Sequence, residues 1–119
     1  MKRVCIVDDD ASLTEALSIL LEEEGYTVSV YADAAAALSP QSDPPAVYII
    51  DLQLSGDVSG EKLISALRQR SQLAGVPIII MSGAVDGADQ ARRLNVSYLP
   101  KPSSVDTVLE AIAAVTTRA

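Results

Sequence analysis

The sequence predicts an α/β fold in which a doubly wound, five-stranded parallel sheet carries helices on both faces. Short stretches rich in β-branched residues alternate five times with stretches in which apolar residues recur at helical spacing. The stretches 47–50 and 78–81 are apolar or aromatic throughout, which is typical of strands buried on both faces. The short connections favour right-handed crossovers and therefore a (βα)5 order.

Composition limits the class of protein. The chain has 119 residues, 49% of them hydrophobic, which suffices for one domain over residues 1–119 and excludes a disordered chain. No apolar run approaches the ~20 residues of a membrane-spanning helix. The net charge of −7 argues against direct nucleic-acid binding by this domain. Cys5, the single cysteine, lies in a strand pattern, so we expect a reduced core residue and a cytoplasmic protein.

The first two strand–helix units have clear boundaries. Residues 3–7 predict the first strand, and Ser12 opens a candidate capping box for a helix that Gly25 ends. Residues 27–31 predict the second strand because they are rich in β-formers. Asp33 is then placed to cap a short, alanine-rich helix.

The third unit follows a proline-rich stretch, residues 39–45, which predicts a loop. The strand at 47–51 ends in a carboxylate, that of Asp51. A polar loop containing Gly56 and Gly60 leads from it to a helix with an apolar face.

The last two units are predicted from the same signals. Residues 78–81 form the fourth strand, 84–94 contain a weak helix, and 97–99 form a short fifth strand. Ser103 or Ser104 caps the final helix. The buried face of that helix is predicted to contain Val105, Val108, Leu109, Ile112 and Val115.

Polar side chains follow four of the five strands. Asp8 and Asp9 follow the first, Asp51 the third, Ser82 the fourth and Lys101 the fifth. Functional groups of a parallel sheet lie beyond the carboxyl ends of its strands, so we expect these side chains to converge. Three carboxylates at close range need a cation, and Mg²⁺ prefers oxygen ligands. With a lysine to hold a phosphate oxygen, the set suits phosphoryl transfer to a carboxylate.

At these residues the sequence resembles the receiver domain of two-component response regulators, the CheY-like family. The resemblance covers essentially the whole chain and implies the flavodoxin-like variant of the predicted fold. It depends on four motifs that occur in the family's order and near its spacing. The motifs are Ile-Val-Asp-Asp-Asp at 6–10, Ile-Ile-Asp-Leu at 49–52, Ile-Met-Ser-Gly at 80–83 and Tyr-Leu-Pro-Lys-Pro at 98–102.

The resemblance implies a role for each residue of the site. Asp51 is the phosphoacceptor. Asp9, Asp51 and the backbone carbonyl of Gln53 hold Mg²⁺ directly, and Asp8 assists through water. Lys101 contacts the phosphoryl group.

A switch is implied as well. Ser82 moves toward the phosphoryl group after transfer, and Tyr98 turns inward with it. This movement changes a protein-binding face formed by the fourth helix, the fifth strand and the fifth helix. The Lys101–Pro102 bond is expected to be cis.

The resemblance also implies the partners. The phosphoryl donor is the phosphohistidine of a sensor kinase or phosphotransfer protein, and the downstream target is another protein. We expect a monomer or a phosphorylation-dependent dimer that acts as a stand-alone regulator or as the receiver of a larger protein. We expect no enzymatic turnover beyond self-catalysed phosphotransfer and autodephosphorylation.

Three features depart from the family pattern. Leu54 and Ser55 stand where methionine and proline are usual, and the loop to Gly60 is one residue longer. The interval from Ser82 to Lys101 is about three residues short, close to one helical turn of ~3.6 residues. We therefore expect the fourth helix to be short or irregular.

Two other functions stay open from the residues alone. A phosphatase of the haloacid-dehalogenase-like class also uses a strand-end aspartate, but it requires an acid two residues later, where this chain has Gln53. The second alternative is an interaction module that works without phosphorylation.

Overall fold

The computed structural model describes residues 2–38, 43–54 and 59–116. The strands are β1 (Arg3–Val7), β2 (Thr27–Tyr31), β3 (Val47–Asp51), β4 (Ile78–Ser82) and β5 (Ser97–Pro100). The helices are α1 (Ala11–Glu23), α2 (Ala34–Ala37), α3 (Gly60–Gln69), α4 (Gly87–Leu94) and α5 (Val105–Thr116). The strands pair in parallel in the order β2-β1-β3-β4-β5, which confirms the predicted doubly wound sheet.

Strand β3 lies at the centre of the sheet, and every one of its residues is buried. Its side chains alternate between two hydrophobic cores, as the period of two in a strand requires. Tyr48 and Ile50 pack into a core shared with α2, α3 and α4. Val47 and Ile49 pack into a core shared with α1 and α5. Both helical layers therefore fix the strand that ends at Asp51.

Side-chain oxygens cap the N-termini of most helices, although the predicted first cap is wrong. Asp10 caps α1, because its carboxylate accepts a hydrogen bond from the backbone N–H of Leu13 at 3.1 Å. The helix begins at Ala11, so Ser12 lies within its first turn, while Asp10 keeps the extended backbone of an N-cap residue. The predicted caps Asp33 and Ser104 are confirmed, each accepting from a backbone N–H three residues later.

Helix α4 is the shortened helix that the sequence predicts, with eight residues. Its N-cap residue, Asp86, makes no side-chain capping bond, whereas its C-terminus is firmly held. Asn95 closes it in the left-handed conformation, with φ 57°. The guanidinium group of Arg68, on α3, donates to the backbone carbonyls of Leu94 and Asn95. The two ends of α4 are therefore anchored unequally.

Some predictions concern residues outside the described ranges. The residues concerned are Ser55, Gly56 and positions 39–42 of the predicted proline-rich loop. Within the described ranges, no helix combines the length and the hydrophobicity that crossing a bilayer requires.

Candidate functional site

Three carboxylates converge at the carboxyl end of the sheet. Asp8 and Asp9 follow β1, Asp51 ends β3, and these two strands are neighbours. One carboxylate oxygen from each of the three residues lies within 4.8 Å of the others. Asp8 and Asp51 are only 5% and 6% exposed, whereas Asp9 faces solvent. The predicted cluster is therefore present, with one open side.

Lys101 reaches the same cluster from the end of β5. Its ammonium lies 2.7 Å from Oδ2 of Asp8 and 3.2 Å from Oδ2 of Asp51. Burial by itself lowers the pKa of this ammonium, but the hydrogen bond to Asp8 and the charge of Asp51 outweigh burial. The pKa of Lys101 is therefore raised overall, and the lysine is charged at neutral pH. The peptide bond from Lys101 to Pro102 is cis, as predicted.

Backbone groups fix the buried carboxylates from the other side. The N–H of Gln53 donates to Oδ1 of Asp51 at 2.9 Å, and the N–H of Asp10 donates to Oδ1 of Asp8 at 2.9 Å. Each carboxylate therefore uses Oδ1 for the backbone and directs Oδ2 to Lys101. The predicted role of the Gln53 carbonyl as a metal ligand stays a prediction.

The donor set fits a hard divalent cation. All three side chains offer oxygen, two of them are buried, and the described part of the cluster contains only one compensating ammonium. Mg²⁺ binds through one or two carboxylates while keeping several waters, and the exposed side at Asp9 leaves room for those waters. Asp8, Asp9 and Asp51 are therefore the residues that would hold the ion.

Ser82 and Tyr98 are connected to this cluster through the backbone carbonyl of Ser82. Ser82 is fully buried, and its hydroxyl oxygen accepts a hydrogen bond from the N–H of Ala84 at 3.1 Å. Its backbone carbonyl accepts both the N–H of Lys101, at 3.0 Å, and the hydroxyl of Tyr98, at 3.3 Å. The structure thus places both predicted switch residues together. Their movement stays a prediction.

Two glycines at the site were missed as functional candidates. A Cβ atom on Gly60 would lie 2.5 Å from the backbone oxygen of Asp51, and one on Gly87 would lie 2.7 Å from the ring of Tyr98. The sequence shows both glycines, but only the structure shows that each is the first residue of a helix. Their close contacts depend on helix positions that the sequence pattern does not specify.

Comparison with known proteins identifies the family. A family model for the response regulator receiver domain matches residues 4–113. The chain belongs to this family. It is thus a receiver domain of two-component signalling. The four motifs that carry the resemblance contain Asp8, Asp9, Asp51, Ser82 and Lys101.

Relatives of this receiver domain include longer response regulators. The DNA-binding response regulator MtrA of Mycobacterium tuberculosis is 35% identical over 105 residues, which cover 85% of this chain and 44% of MtrA. The transcriptional regulatory protein KdpE of the same species is 32% identical over 122 residues, covering 99% of this chain and 52% of KdpE. The chain therefore spans about half the length of these relatives.

A solved structure supports the same assignment. The CheY-like response regulator receiver domain protein of Methanospirillum hungatei JF-1 is 25% identical to this receiver domain, with a TM-score of 0.84. The match covers 96% of this chain and 92% of that chain, so the two folds correspond along almost their whole length.

Proposed function

We propose that this receiver domain accepts a phosphoryl group on Asp51 from the phosphohistidine of a sensor kinase or phosphotransfer protein. The observation that carries the proposal is the contact of the Lys101 ammonium with both Asp8 and Asp51, beside the carboxylate of Asp9. A strand-end carboxylate with an adjacent cation and an acidic cluster is equipped for phosphoryl transfer, which depends mainly on positioning and charge stabilisation.

The side chains support the chemistry as follows. An oxygen of the Asp51 carboxylate forms a bond to phosphorus while the phosphorus–nitrogen bond of the donor breaks. The electron pair of that bond returns to the histidine ring. Lys101 lies where its positive charge stabilises the phosphoryl oxygens. Bound at Asp8, Asp9 and Asp51, Mg²⁺ would supply further charge neutralisation.

The output proposed here is a change in a protein-binding face. Ser82 would respond to the new phosphoryl group, and Tyr98 would respond to Ser82 through the contacts around the Ser82 carbonyl. The receiver has no enzymatic product in this scheme beyond its own phosphorylation and dephosphorylation. Its acidic charge of −7 supports a protein target rather than direct binding to DNA. Any DNA-binding output would belong to a further domain; the longer relative MtrA is named a DNA-binding response regulator.

The cellular location and assembly complete the proposal. We place the receiver in the cytoplasm, consistent with an unpaired, buried Cys5. Light scattering with and without phosphorylation distinguishes a constant monomer from a phosphorylation-dependent dimer.

The decisive experiment is incubation with acetyl phosphate and Mg²⁺ followed by intact-mass measurement. The wild type should gain about 80 Da, the mass of one phosphoryl group. The variant Asp51→Asn should gain nothing, and EDTA should suppress the gain in the wild type. Asp33→Asn is the matched control, because it replaces another carboxylate with an equally good helix cap and should label normally.

Other outcomes identify the alternative functions. Failure of the wild type to label, under conditions that label a known receiver, supports the interaction module that needs no phosphorylation. Continued release of phosphate from phosphomonoesters over many turnovers supports the phosphatase instead.

A further inference from the structure

A cavity of about 760 Å³ lies at the amino-terminal edge of the sheet, opposite the edge that carries Asp51. Its wall follows the starts of four strands: Lys2 precedes β1, Ala46 precedes β3, Pro77 precedes β4 and Val96 precedes β5. The volume lies within the ~300–1,000 Å³ range of small-molecule sites. The proposed phosphoryl transfer uses no residue of this edge, so the cavity is free for a separate ligand.

The floor of the cavity is apolar and only partly covered. Val76, Val96 and Val115 line it and are half-buried, so water still reaches their side chains. The wall has an unfilled position at Gly75, because a Cβ built there would meet no atom within 4 Å. An apolar body seated here would remove hydrocarbon surface from water, which favours binding.

The charge of the rim has the opposite sign to that of the chain. The chain has 16 acidic and 9 basic residues and a net charge of −7. Among the described residues that line the cavity, Lys2 and Arg68 are basic and none is acidic. A cleft lined by one sign of charge concentrates ions of the other sign, so this cavity attracts anions although the molecule as a whole is acidic.

Both cations are fixed at the rim by helix ends. The guanidinium group of Arg68 donates to the backbone carbonyls of Leu94 and Asn95 at the end of α4. The ammonium of Lys2 donates to the backbone carbonyl of Thr116, at the end of α5, at 3.5 Å. Such carbonyls carry partial negative charge that would repel an anion. The two cations offset this charge and keep further N–H groups for a ligand.

We propose that this cavity binds a small organic anion. The carboxylate, sulfonate or phosphate group of the ligand would contact Lys2 and Arg68, and its aliphatic or aromatic body would cover the valines of the floor. Asn95 and Ser97 also line the cavity and add an amide and a hydroxyl that can donate to the same anionic group. Binding requires neither Mg²⁺ nor phosphorylation, so the site is independent of the proposed function.

Titration with anilinonaphthalenesulfonate tests the cavity, because this probe joins one sulfonate to an aromatic body. Its fluorescence should rise saturably with the folded wild type. The backbone amide NMR signals of Gly75, Val76 and Ser97 should shift with the same dissociation constant. Absence of saturable binding would overturn the proposal, as would shifts that instead cluster on Ile19 and Leu20, the exposed apolar residues of α1.

An uncharged analogue, phenylnaphthylamine, tests the need for an anionic group. It should bind about fivefold more weakly than the sulfonate, since it lacks the contact with the two cations. Equal affinity of the two probes would show that the rim charges contribute nothing and would overturn the proposal.

Charge reversal at the rim has a matched control. Lys2→Glu should weaken binding of the sulfonate about fivefold, because a cation beside the anionic group becomes an anion. Lys62→Glu makes the same change in net charge at an exposed position of α3 outside the cavity, and it should bind the probe as the wild type does. Equal effects of the two variants would show that only net charge matters and would overturn the site.

Filling the cavity provides a second variant that leaves the rim charges in place. Gly75→Leu should weaken binding of the sulfonate, because its side chain occupies part of the wall, and Gly75→Ala should weaken it less. Unchanged affinity in Gly75→Leu would overturn the proposal. All titrations are made in EDTA without a phosphoryl donor, so failure of the proposed function leaves their result unaffected.

Discussion

At the scale of single residues, Lys101 contacts both buried carboxylates of the site. Asp8 and Asp51 are both almost fully buried, and their Oδ2 atoms both face the ammonium of this lysine. Two buried carboxylates without a countercharge would destabilise the folded state, because ionised groups are poorly solvated there. We therefore expect Lys101 to stabilise the site, in addition to the phosphoryl contact proposed for it.

Replacement of Lys101 by alanine should reveal this structural role. In buffer with EDTA, we expect Lys101→Ala to lower the free energy of unfolding by about 1–3 kcal/mol, since both carboxylates lose their cationic partner. Mg²⁺ should restore part of the loss by supplying another positive charge. Urea denaturation with and without Mg²⁺ measures both effects.

An exposed lysine on α3 provides the control. Lys62→Ala should change the stability little in either buffer, because its side chain lies in solvent. If both variants unfold at the same urea concentration in EDTA, Lys101 does not stabilise the acidic cluster.

At the scale of elements, the junction between β3 and α3 determines where Asp51 lies. The N–H of Gly60 donates to the carbonyl of Leu52, and α3 begins immediately against the end of the strand. A Cβ on Gly60 would lie 2.5 Å from the backbone oxygen of Asp51 and 2.7 Å from Cα of Leu52. Both neighbours are backbone atoms, so neither can move without moving the end of the strand that carries Asp51.

Substitution of Gly60 should therefore affect both folding and labelling. We expect Gly60→Ala to lower the free energy of unfolding by about 1–3 kcal/mol through overpacking. It should also slow labelling of Asp51 by acetyl phosphate, because α3 can accommodate the methyl group only by shifting the strand end. Gly75→Ala, whose added methyl meets open space, should change neither property by a comparable amount. Unchanged labelling in Gly60→Ala would show that the strand end is insulated from α3.

Elements differ in how well the sequence predicts them. Strands such as β3 and β4 are predictable because each is buried on both faces and is therefore apolar throughout. The start of α1 was predicted wrongly because Asp10 and Ser12 both suit a cap, and only the three-dimensional path of the chain selects Asp10. The short α4 was predictable from the reduced interval between Ser82 and Lys101.

At the scale of the whole molecule, the sheet order brings β1, β3 and β5 to one functional edge. The convergence of Asp8, Asp51 and Lys101 was predictable, since the carboxyl ends of parallel strands meet there. The contact of Tyr98 with Gly87 was not, because it depends on how closely α4 packs against β5. Periodicity indicates which face of a helix is buried, but it does not give such distances.

The core of the molecule should make its stability sensitive to alkali. Burial raises the pKa of the Cys5 thiol to about 12 and the pKa of the Tyr48 hydroxyl to about 12. In the unfolded chain these groups ionise near their ordinary values of 9.0 and 10.0. Their contribution to stability is therefore complete below about pH 9 and is lost as the pH rises toward 12, because the unfolded state releases its protons first.

Urea denaturation from pH 8 to 11 measures this loss. The slope for one proton approaches about 1.4 kcal/mol per pH unit. Cys5→Val should flatten the decline most between pH 9 and 10, because the thiol has the lower unfolded-state pKa of the two groups. The same decline in both proteins would assign the alkaline sensitivity to groups other than Cys5.

The double hydrogen bond at the Ser82 carbonyl has a consequence for genetics as well as for design. The link between Tyr98 and Lys101 passes through a main-chain oxygen, which is present whatever amino acid occupies position 82. A missense change such as Ser82→Ala can thus delete the hydroxyl and leave this link available. Tyr98→Phe instead removes the hydrogen bond from the tyrosine hydroxyl and keeps the one from the backbone N–H of Lys101. The two variants therefore separate the role of the Ser82 hydroxyl from that of the Ser82 carbonyl.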